Sequence, residues 1–290
     1  MNSDPICPPL RIPKDALVLD VGSGHRPHPR ADILCDKSLV DNTERGKAAV
    51  VDRPLVIGDA QSLPFRPNSF DYIIARHILE HVDDPVAFFH EIARVGCAGY
   101  IEAPTLIWEH LHPVRKYHKW VLVRVHDTIM MAPKPPALYE SVLGSVMEEL
   151  GMNSLEYGLL IKAYKDLFYI RHEWFGEIRF EVYPSLEKAP FIFRVPWNAE
   201  IANQWISPQS SLQQINNLLR NLVGSVVRWT LRGYFVKRER KQLQARLRRR
   251  PIDLRQLMMC PNCKSLSIEL HKEIAQCRDC HWQTTVLMPQ

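Results

Sequence analysis

The sequence predicts an α/β fold, a doubly wound and mostly parallel sheet followed by helical and cysteine-rich segments, on three observations. Five short apolar runs recur between polar connections: ALVLDV (16–21), ADILCD (31–36), PLVIGD (54–59), FDYIIA (70–75) and AGYIEAP (98–104). Strands buried on both faces of a parallel sheet read as such near-continuous apolar runs. The first run ends in Gly22-Ser23-Gly24, a turn that lets a ligand approach backbone a Cβ would block. Beyond residue 185 the strand pattern stops, residues 199–248 read as helix up to Pro251, and four cysteines crowd the C-terminus.

The remaining elements follow in order. Asp83 or Asp84 caps a helix with Pro85 at its first position, followed by VAFFHEIARV, because Pro lacks only an amide that the first turn leaves unbonded anyway. A second helix spans 137–150, with Leu138, Tyr139, Val142, Leu143, Val146, Met147 and Leu150 on one face and Gly151 as its C-cap. Residues 166–183 alternate as a β-hairpin around Gly176.

Composition bounds the classes. At 290 residues, 46% hydrophobic and 24% charged, the chain has a globular composition and is neither collagenous nor disordered. No apolar run is long enough to span a bilayer, and the first fifteen residues lack the apolar core of a secretory signal, so a cytoplasmic location is expected. The net charge of +5 is unevenly spread: residues 220–250 carry eleven Lys or Arg against the lone acid Glu239 (11 − 1 = +10), leaving the rest at 5 − 10 = −5. Any anionic partner would meet that stripe. Cys7, Cys35 and Cys97 are scattered in apolar surroundings and read as small buried hydrophobes.

The glycine turn heads an ordered series. Asp36 closes the second run, where an acid can accept hydrogen bonds from ribose hydroxyls; Asp59-Ala60 closes the third, and Arg76-His77 follows the fourth. VLDVGSG and GDAQSLPFRPNSFDYIIARHILEHVDDP, in that order, resemble a class I S-adenosylmethionine-dependent methyltransferase of the type-11 group. The resemblance is close over 15–105 and extends only in layout to 185. It implies a Rossmann-like, seven-stranded sheet with an antiparallel last strand, completed by the 166–183 hairpin. It also implies that Asp20, Gly22, Ser23 and Gly24 hold the methionine end of the cofactor. Asp36 would bind its ribose, Asp59 and Ala60 would flank its adenine, and Arg76 and His77 would run beneath its sulfonium. One departure stands out: Pro27 and Pro29 occupy the place of the first crossover helix and forbid a helix interior.

Methyl transfer from a sulfonium needs in-line positioning of the nucleophile at about 3–3.5 Å and, for a hydroxyl or amine, removal of a proton. Polar groups after the sheet's fourth and fifth strands and in the insertion 105–133 are the candidates, so Glu102, His118 and His81 are the expected catalytic residues. No acidic pattern accompanies His110, His112, His118 and His126, and no metal is assigned to them. The chain has no Asn-Pro-Pro-Tyr or Asp-Pro-Pro-Tyr after the fourth strand and no Pro-Cys nucleophile pair, which weighs against base methylation.

Cys260-Pro-Asn-Cys263 and Cys277-Arg-Asp-Cys280 are two knuckles separated by thirteen residues. Four thiolates so spaced suit a tetrahedral structural zinc at about 2.3 Å from each sulfur, with SLSIELHKEIAQ as the closing hairpin. The domain reading is therefore a methyltransferase domain over 1–185, a helical basic connector over 186–256 and a zinc ribbon over 257–290. The stripe 226–250, with Trp229, Tyr234 and Phe235 among its cations, suits an anionic membrane face, phosphates of RNA, or packing on the catalytic domain. The expected function is methylation of an oxygen or nitrogen on a small-molecule, saccharide or lipid-linked substrate. RNA methylation and a non-catalytic binding protein of the same fold are the alternatives.

Overall fold

The computed structural model describes residues 9–43, 47–112, 116–136, 142–189, 206 and 210–289. All five apolar runs become parallel strands: β1 (Val18–Val21), β2 (Ile33–Asp36), β3 (Leu55–Ile57), β4 (Tyr72–Arg76) and β5 (Ala98–Pro104). They lie side by side in the order β3-β2-β1-β4-β5. β1 is central, with Asp20 in register with Leu34 on one side and Ile74 on the other.

Helix α1 (Pro85–Val95) packs on this sheet. The Asp84 carboxylate accepts from the amides of Val86 and Ala87, and Pro85 opens the first turn. Phe88, Phe89, Ile92 and Val95 form a buried stripe at helical spacing and join Leu19, Val21, Ile33 and Val56 in the larger core. Each such side chain contributes about 1.5–3 kcal/mol by leaving water. The other side, with Val18, Leu34, Leu55 and Ile74, is lined by Leu10, Ile12, Leu39 and Val51 from irregular segments.

The two prolines do exclude a helix between β1 and β2, and the polar backbone of that loop is bonded by side chains instead. Asp20 accepts from the His28 amide at 2.6 Å. Arg53, 1% exposed, donates to the carbonyls of His28 and Ala31 at 2.9 and 2.6 Å, and Arg246 donates to Pro29 O at 2.8 Å. Buried carbonyls demand partners, and guanidinium forks supply them where a helix is forbidden.

The region after β5 departs from expectation in two ways. Helix α2 (Leu106–Leu111) leads to a hairpin of β6 (Trp120–Val125) and β7 (Thr128–Pro133). Helix α3 (Val142–Asn153) runs through Gly151, so that glycine is not a C-cap; the break comes at Ser154, whose hydroxyl accepts from the Tyr157 amide and caps α4 (Leu155–Ala163). Val146 and Leu150 are exposed rather than core-facing. A Cβ at position 151 would stand 3.2 Å from His112 Cε1, so the helix is kept close to His112 there. Residues 137–141 of the expected helix lie outside the described residues.

The second departure concerns the hairpin. After a short α5 (Lys165–Phe168), β8 (Tyr169–Phe175) pairs antiparallel with β5, but β9 (Arg179–Val182) leaves the sheet and pairs parallel with β7. Burial decides this. β8 buries Tyr169, Ile170 and Trp174 and fits against β5, whereas β9 alternates exposed and half-buried residues and suits a small outer sheet. Gly176, at φ +76°, turns the chain between them.

Among the described residues, six strands and not the expected seven therefore form this part of the sheet, β3-β2-β1-β4-β5-β8. Helices α6 (Ser211–Thr230) and α7 (Arg232–Arg249) occupy the basic connector, and residues 190–205 and 207–209 of that segment lie outside the described residues. After α8 (Leu254–Leu257), the cysteine segment folds as β10 (Ile268–His271), β11 (Ile274–Cys277) and β12 (Gln283–Leu287). β12 pairs antiparallel with β3 through Val286–Val56 and Leu287–Leu55, making one nine-stranded sheet, β10-β11-β12-β3-β2-β1-β4-β5-β8. Cys35 is buried, Cys97 is exposed against expectation because it sits at the turn between α1 and β5, and Cys7 lies outside the described residues.

Candidate active site

A cleft of about 550 Å³ opens at the C-terminal ends of the parallel strands, with Gly22, Gly24, Asp36, Asp59, Ala60 and His77 on its wall. Ligands of open α/β sheets bind at this edge. Gly22 (φ +71°) and Gly24 (φ +50°) take the left-handed backbone that glycine adopts without strain. A Cβ on Gly22 would lie 2.7 Å from Ile78 Cδ1, another residue of the cleft wall.

Two acids are held in place around it. Asp36 accepts from the Gly24 amide at 2.8 Å and the Ser38 amide at 3.2 Å, which fixes the glycine loop to the end of β2. Asp59 accepts from the backbone and side-chain amides of Gln61, both at 2.9 Å, and faces Lys37 Nζ at 3.1 Å. Partial burial works to raise its pKa, but those bonds and the Lys37 ammonium hold the carboxyl below the usual range.

Three of the expected cofactor residues stand behind the wall rather than on it. Asp20 is buried under the loop it binds, and desolvation pushes its pKa up to about 6 despite Arg76 and the His28 amide. Ser23 is buried, with no hydrogen-bond partner for its hydroxyl among the described residues. Arg76 donates to Arg26 O at 2.8 Å.

His77 joins the cleft to the sheet. Its backbone is left-handed (φ +53°), an uncommon state for a non-glycine residue, and its amide donates to Glu102 O at 2.8 Å. Its ring lies between two buried carboxylates, Nε2 at 3.3 Å from Glu102 and Nδ1 at 3.5 Å from Glu80. Its side chain is 41% exposed to the cleft, and although partial desolvation works against its charge, contacts with Glu102 and Glu80 outweigh this and lift its pKa to about 10.

The three expected catalytic residues separate by depth. His81 lines the cleft. Glu102 is wholly buried behind His77 and accepts from the Tyr100 hydroxyl at 2.5 Å. His118, 3% exposed, stands edge-on behind His81 with ring centroids 4.8 Å apart, and its Nδ1 is 2.6 Å from Glu109 Oε1. Sequence reasoning passed over Glu80, Glu109 and Lys119. Glu80 was in view within LEHV, but only the fold turns it inward. Glu109 and Lys119 come from the insertion, whose course no local pattern reveals.

At the far edge of the sheet, Cys260, Cys263, Cys277 and Cys280 place their sulfurs within 4.8 Å of one another. Cys260–Cys280 and Cys263–Cys277 are 3.4 and 3.6 Å apart, near the ~3.8 Å edge of a tetrahedron with 2.3 Å zinc–sulfur bonds. The two knuckles repeat one geometry: Lys264 and His281, each following a second cysteine, both have φ +60°.

A family model described as a methyltransferase domain matches residues 34–99, from β2 into β5. Over those residues the chain is similar to a methyltransferase domain. Ajmaline N-methyltransferase of Rauvolfia serpentina is 34% identical over 56 residues, covering 19% of this chain and 18% of the relative. Demethylmenaquinone methyltransferase of Paenarthrobacter aurescens (strain TC1) is 33% identical over 110 residues, covering 36% and 42%. The chain thus spans less than half the length of these relatives. Among solved structures, a Thermotoga maritima protein described as a possible histamine N-methyltransferase is 22% identical over 34% of this chain and 48% of its own, with a TM-score of 0.27.

Proposed function

We propose that this protein transfers the methyl group of S-adenosylmethionine to an oxygen or nitrogen of a small-molecule, saccharide or lipid-linked acceptor. The observation that carries the reading is the convergence of Gly22, Gly24, Asp36 and Asp59 on one cleft at the sheet's C-terminal edge. The close approach over Gly22–Gly24 fits a backbone-bound amino-acid end, and the fixed Asp36 carboxylate fits a pair of ribose hydroxyls. Ala60 and Gln61 line the end that would take the adenine. When bound, the cofactor supplies an electrophilic methyl.

The chain's own residues orient the acceptor. We assign His81 to the acceptor side, with Lys119 and Asp83, an ion pair at 2.5 Å, at the rim. Glu102 and His118 act from behind, fixing the rings of His77 and His81 respectively. Calorimetry with S-adenosylmethionine tests the reading. Binding that Asp36→Asn weakens at least tenfold supports it. A chain that binds neither the donor nor its demethylated product is a non-catalytic scaffold. We assign the four cysteines to one structural zinc, since a protein sulfur fills every tetrahedral position; metal analysis of the purified chain tests this.

A second reading concerns partners. Among the described residues of α6, Leu212, Ile215, Leu218, Val223 and Val226 are more than half exposed, as is Trp229 at 81%, and α7 carries the cations. An apolar helix face beside a basic one suits an anionic bilayer surface, and would bring a lipid-linked acceptor to the cleft. No helix among the described residues is long and apolar enough to cross a membrane. Co-sedimentation with phosphatidylglycerol but not phosphatidylcholine vesicles, lost on joint charge reversal of Arg238, Arg240 and Lys241, is the expected result. Salt-sensitive binding of RNA in place of vesicles would favour the RNA substrate instead.

A further inference from the structure

We propose that Glu80, His81 and His118 bind a divalent first-row transition-metal cation in the wall of the cleft. One donor atom from each lies within 4.8 Å of the other two, so a single ion can touch all three.

Glu80 carries the argument. It is 1% exposed, and neither carboxylate oxygen has a hydrogen-bond partner among the described residues. Nδ1 of His77 stands 3.5 Å away and Nε2 of His81 3.8 Å, both longer than an ordinary hydrogen bond. The His77 ring offsets part of the charge but is shared with Glu102; a buried carboxylate is costly without close partners, and a cation in direct contact would offset the rest.

The two histidines are oriented as ligands are. His118 directs Nδ1 to Glu109 Oε1 at 2.6 Å, and Lys134 Nζ holds the other Glu109 oxygen at 2.5 Å. His81 directs Nδ1 to the Tyr117 carbonyl at 3.3 Å. An acceptor at Nδ1 selects the tautomer protonated there and puts the ring lone pair on Nε2. Metal-bound histidines are set by such outer partners. Imidazole and carboxylate donors suit Mn²⁺, Fe²⁺, Co²⁺ or Zn²⁺, whereas the thiolate ribbon selects softer binding. Because His81 lines the cleft, the ion's remaining positions face an acceptor, where it would lower the pKa of a bound hydroxyl. That consequence rests on the methyl-transfer reading; the ion's binding does not.

The test uses the full, zinc-loaded chain titrated with Mn²⁺ and followed by electron paramagnetic resonance. One equivalent is expected to bind. Glu80→Gln or His118→Asn should weaken it more than tenfold, with helix content unchanged by circular dichroism. Glu109→Gln, which leaves all three ligands in place, should weaken it about tenfold by releasing the His118 ring. Two results would overturn the proposal: no Mn²⁺ bound by the unmodified chain at millimolar concentration, or binding that Glu80→Gln and His118→Asn leave unchanged. A chain that binds Mn²⁺ but not S-adenosylmethionine would sink the methyl-transfer reading and leave the cation site standing.

Discussion

Arg246 of helix α7 is locked to Asp32, just before β2, Nε to Oδ1 at 3.1 Å, while its Nη2 donates to Pro29 O at 2.8 Å. One residue of the basic stripe is thus an intramolecular anchor, and Arg250, bonded to Asp15 O at 2.8 Å, is another. Arg246→Ala should cost roughly 2 kcal/mol, the scale of losing hydrogen bonds to a charged group, and should open α7 to limited proteolysis. Arg246→Lys keeps the charge without the fork and should rescue only part of the loss. Denaturant unfolding of both variants measures this, and equal stability of Ala and wild type would exclude the anchor.

Asp20 predicts a pH dependence. Burial raises its carboxyl from an ordinary value of 3.8 to about 6 in the folded protein. A raised acid pKa means the folded state holds its proton longer than the unfolded chain. Stability attributable to this group is therefore complete below about pH 4 and is lost as pH climbs through 6, by about 3 kcal/mol. Asp20→Asn keeps an oxygen to accept from the His28 amide and removes the charge. Its melting temperature relative to wild type should rise between pH 4 and pH 7. A difference that stays flat with pH would contradict the assignment.

The sheet was legible because its five parallel strands are near-continuous apolar runs, a pattern that needs no tertiary information. The cleft was legible for a related reason: Gly22, Gly24, Asp36 and Asp59 all sit at strand ends, so placing the strands places them. Strand β9 was not legible, since an alternating segment beside a buried strand is equally compatible with either sheet, and its partner β7 comes from a distant insertion. The same holds for Glu80 and Glu109, whose inward direction depends on a turn and a helix that only long-range packing orients. The loop over Pro27 and Pro29 lies between these cases. The missing helix was readable, but not the use of Arg53 and Arg246 to bond its carbonyls.

Gly22 should tolerate no side chain. At φ +71° an alanine is strained, and its Cβ would meet Ile78 Cδ1 at 2.7 Å. Backbone strain of this kind costs about 1–3 kcal/mol, and the displaced Ile78 would move into the cleft. Gly22→Ala is expected to lower S-adenosylmethionine affinity at least tenfold by calorimetry while lowering the melting temperature by a few degrees. Gly158→Ala, inside α4 with nothing within 4 Å of the new atom, is the control that should leave affinity unchanged and keep or raise the melting temperature, since alanine favours a helix over glycine.

Removing the zinc we assign to the cysteine ribbon should be felt across the whole sheet. β12 supplies the antiparallel neighbour of β3, the Thr284 hydroxyl donates to Ile57 O at 2.5 Å, and Arg66 donates to Met258 O at 3.0 Å. Cys260, Cys277 and Met258 share a buried cluster with Phe65 and Leu63, next to the Asp59–Gln61 wall of the cleft. A short ribbon depends on its metal for folding energy, so chelation should unpair β3 and leave an open sheet edge prone to association. Calorimetric unfolding is expected to show one transition, shifted down as a whole by chelator or by Cys277→Ser. Two separate transitions, with only the smaller one sensitive to chelator, would mean that the ribbon folds apart from the sheet and that its pairing with β3 contributes little.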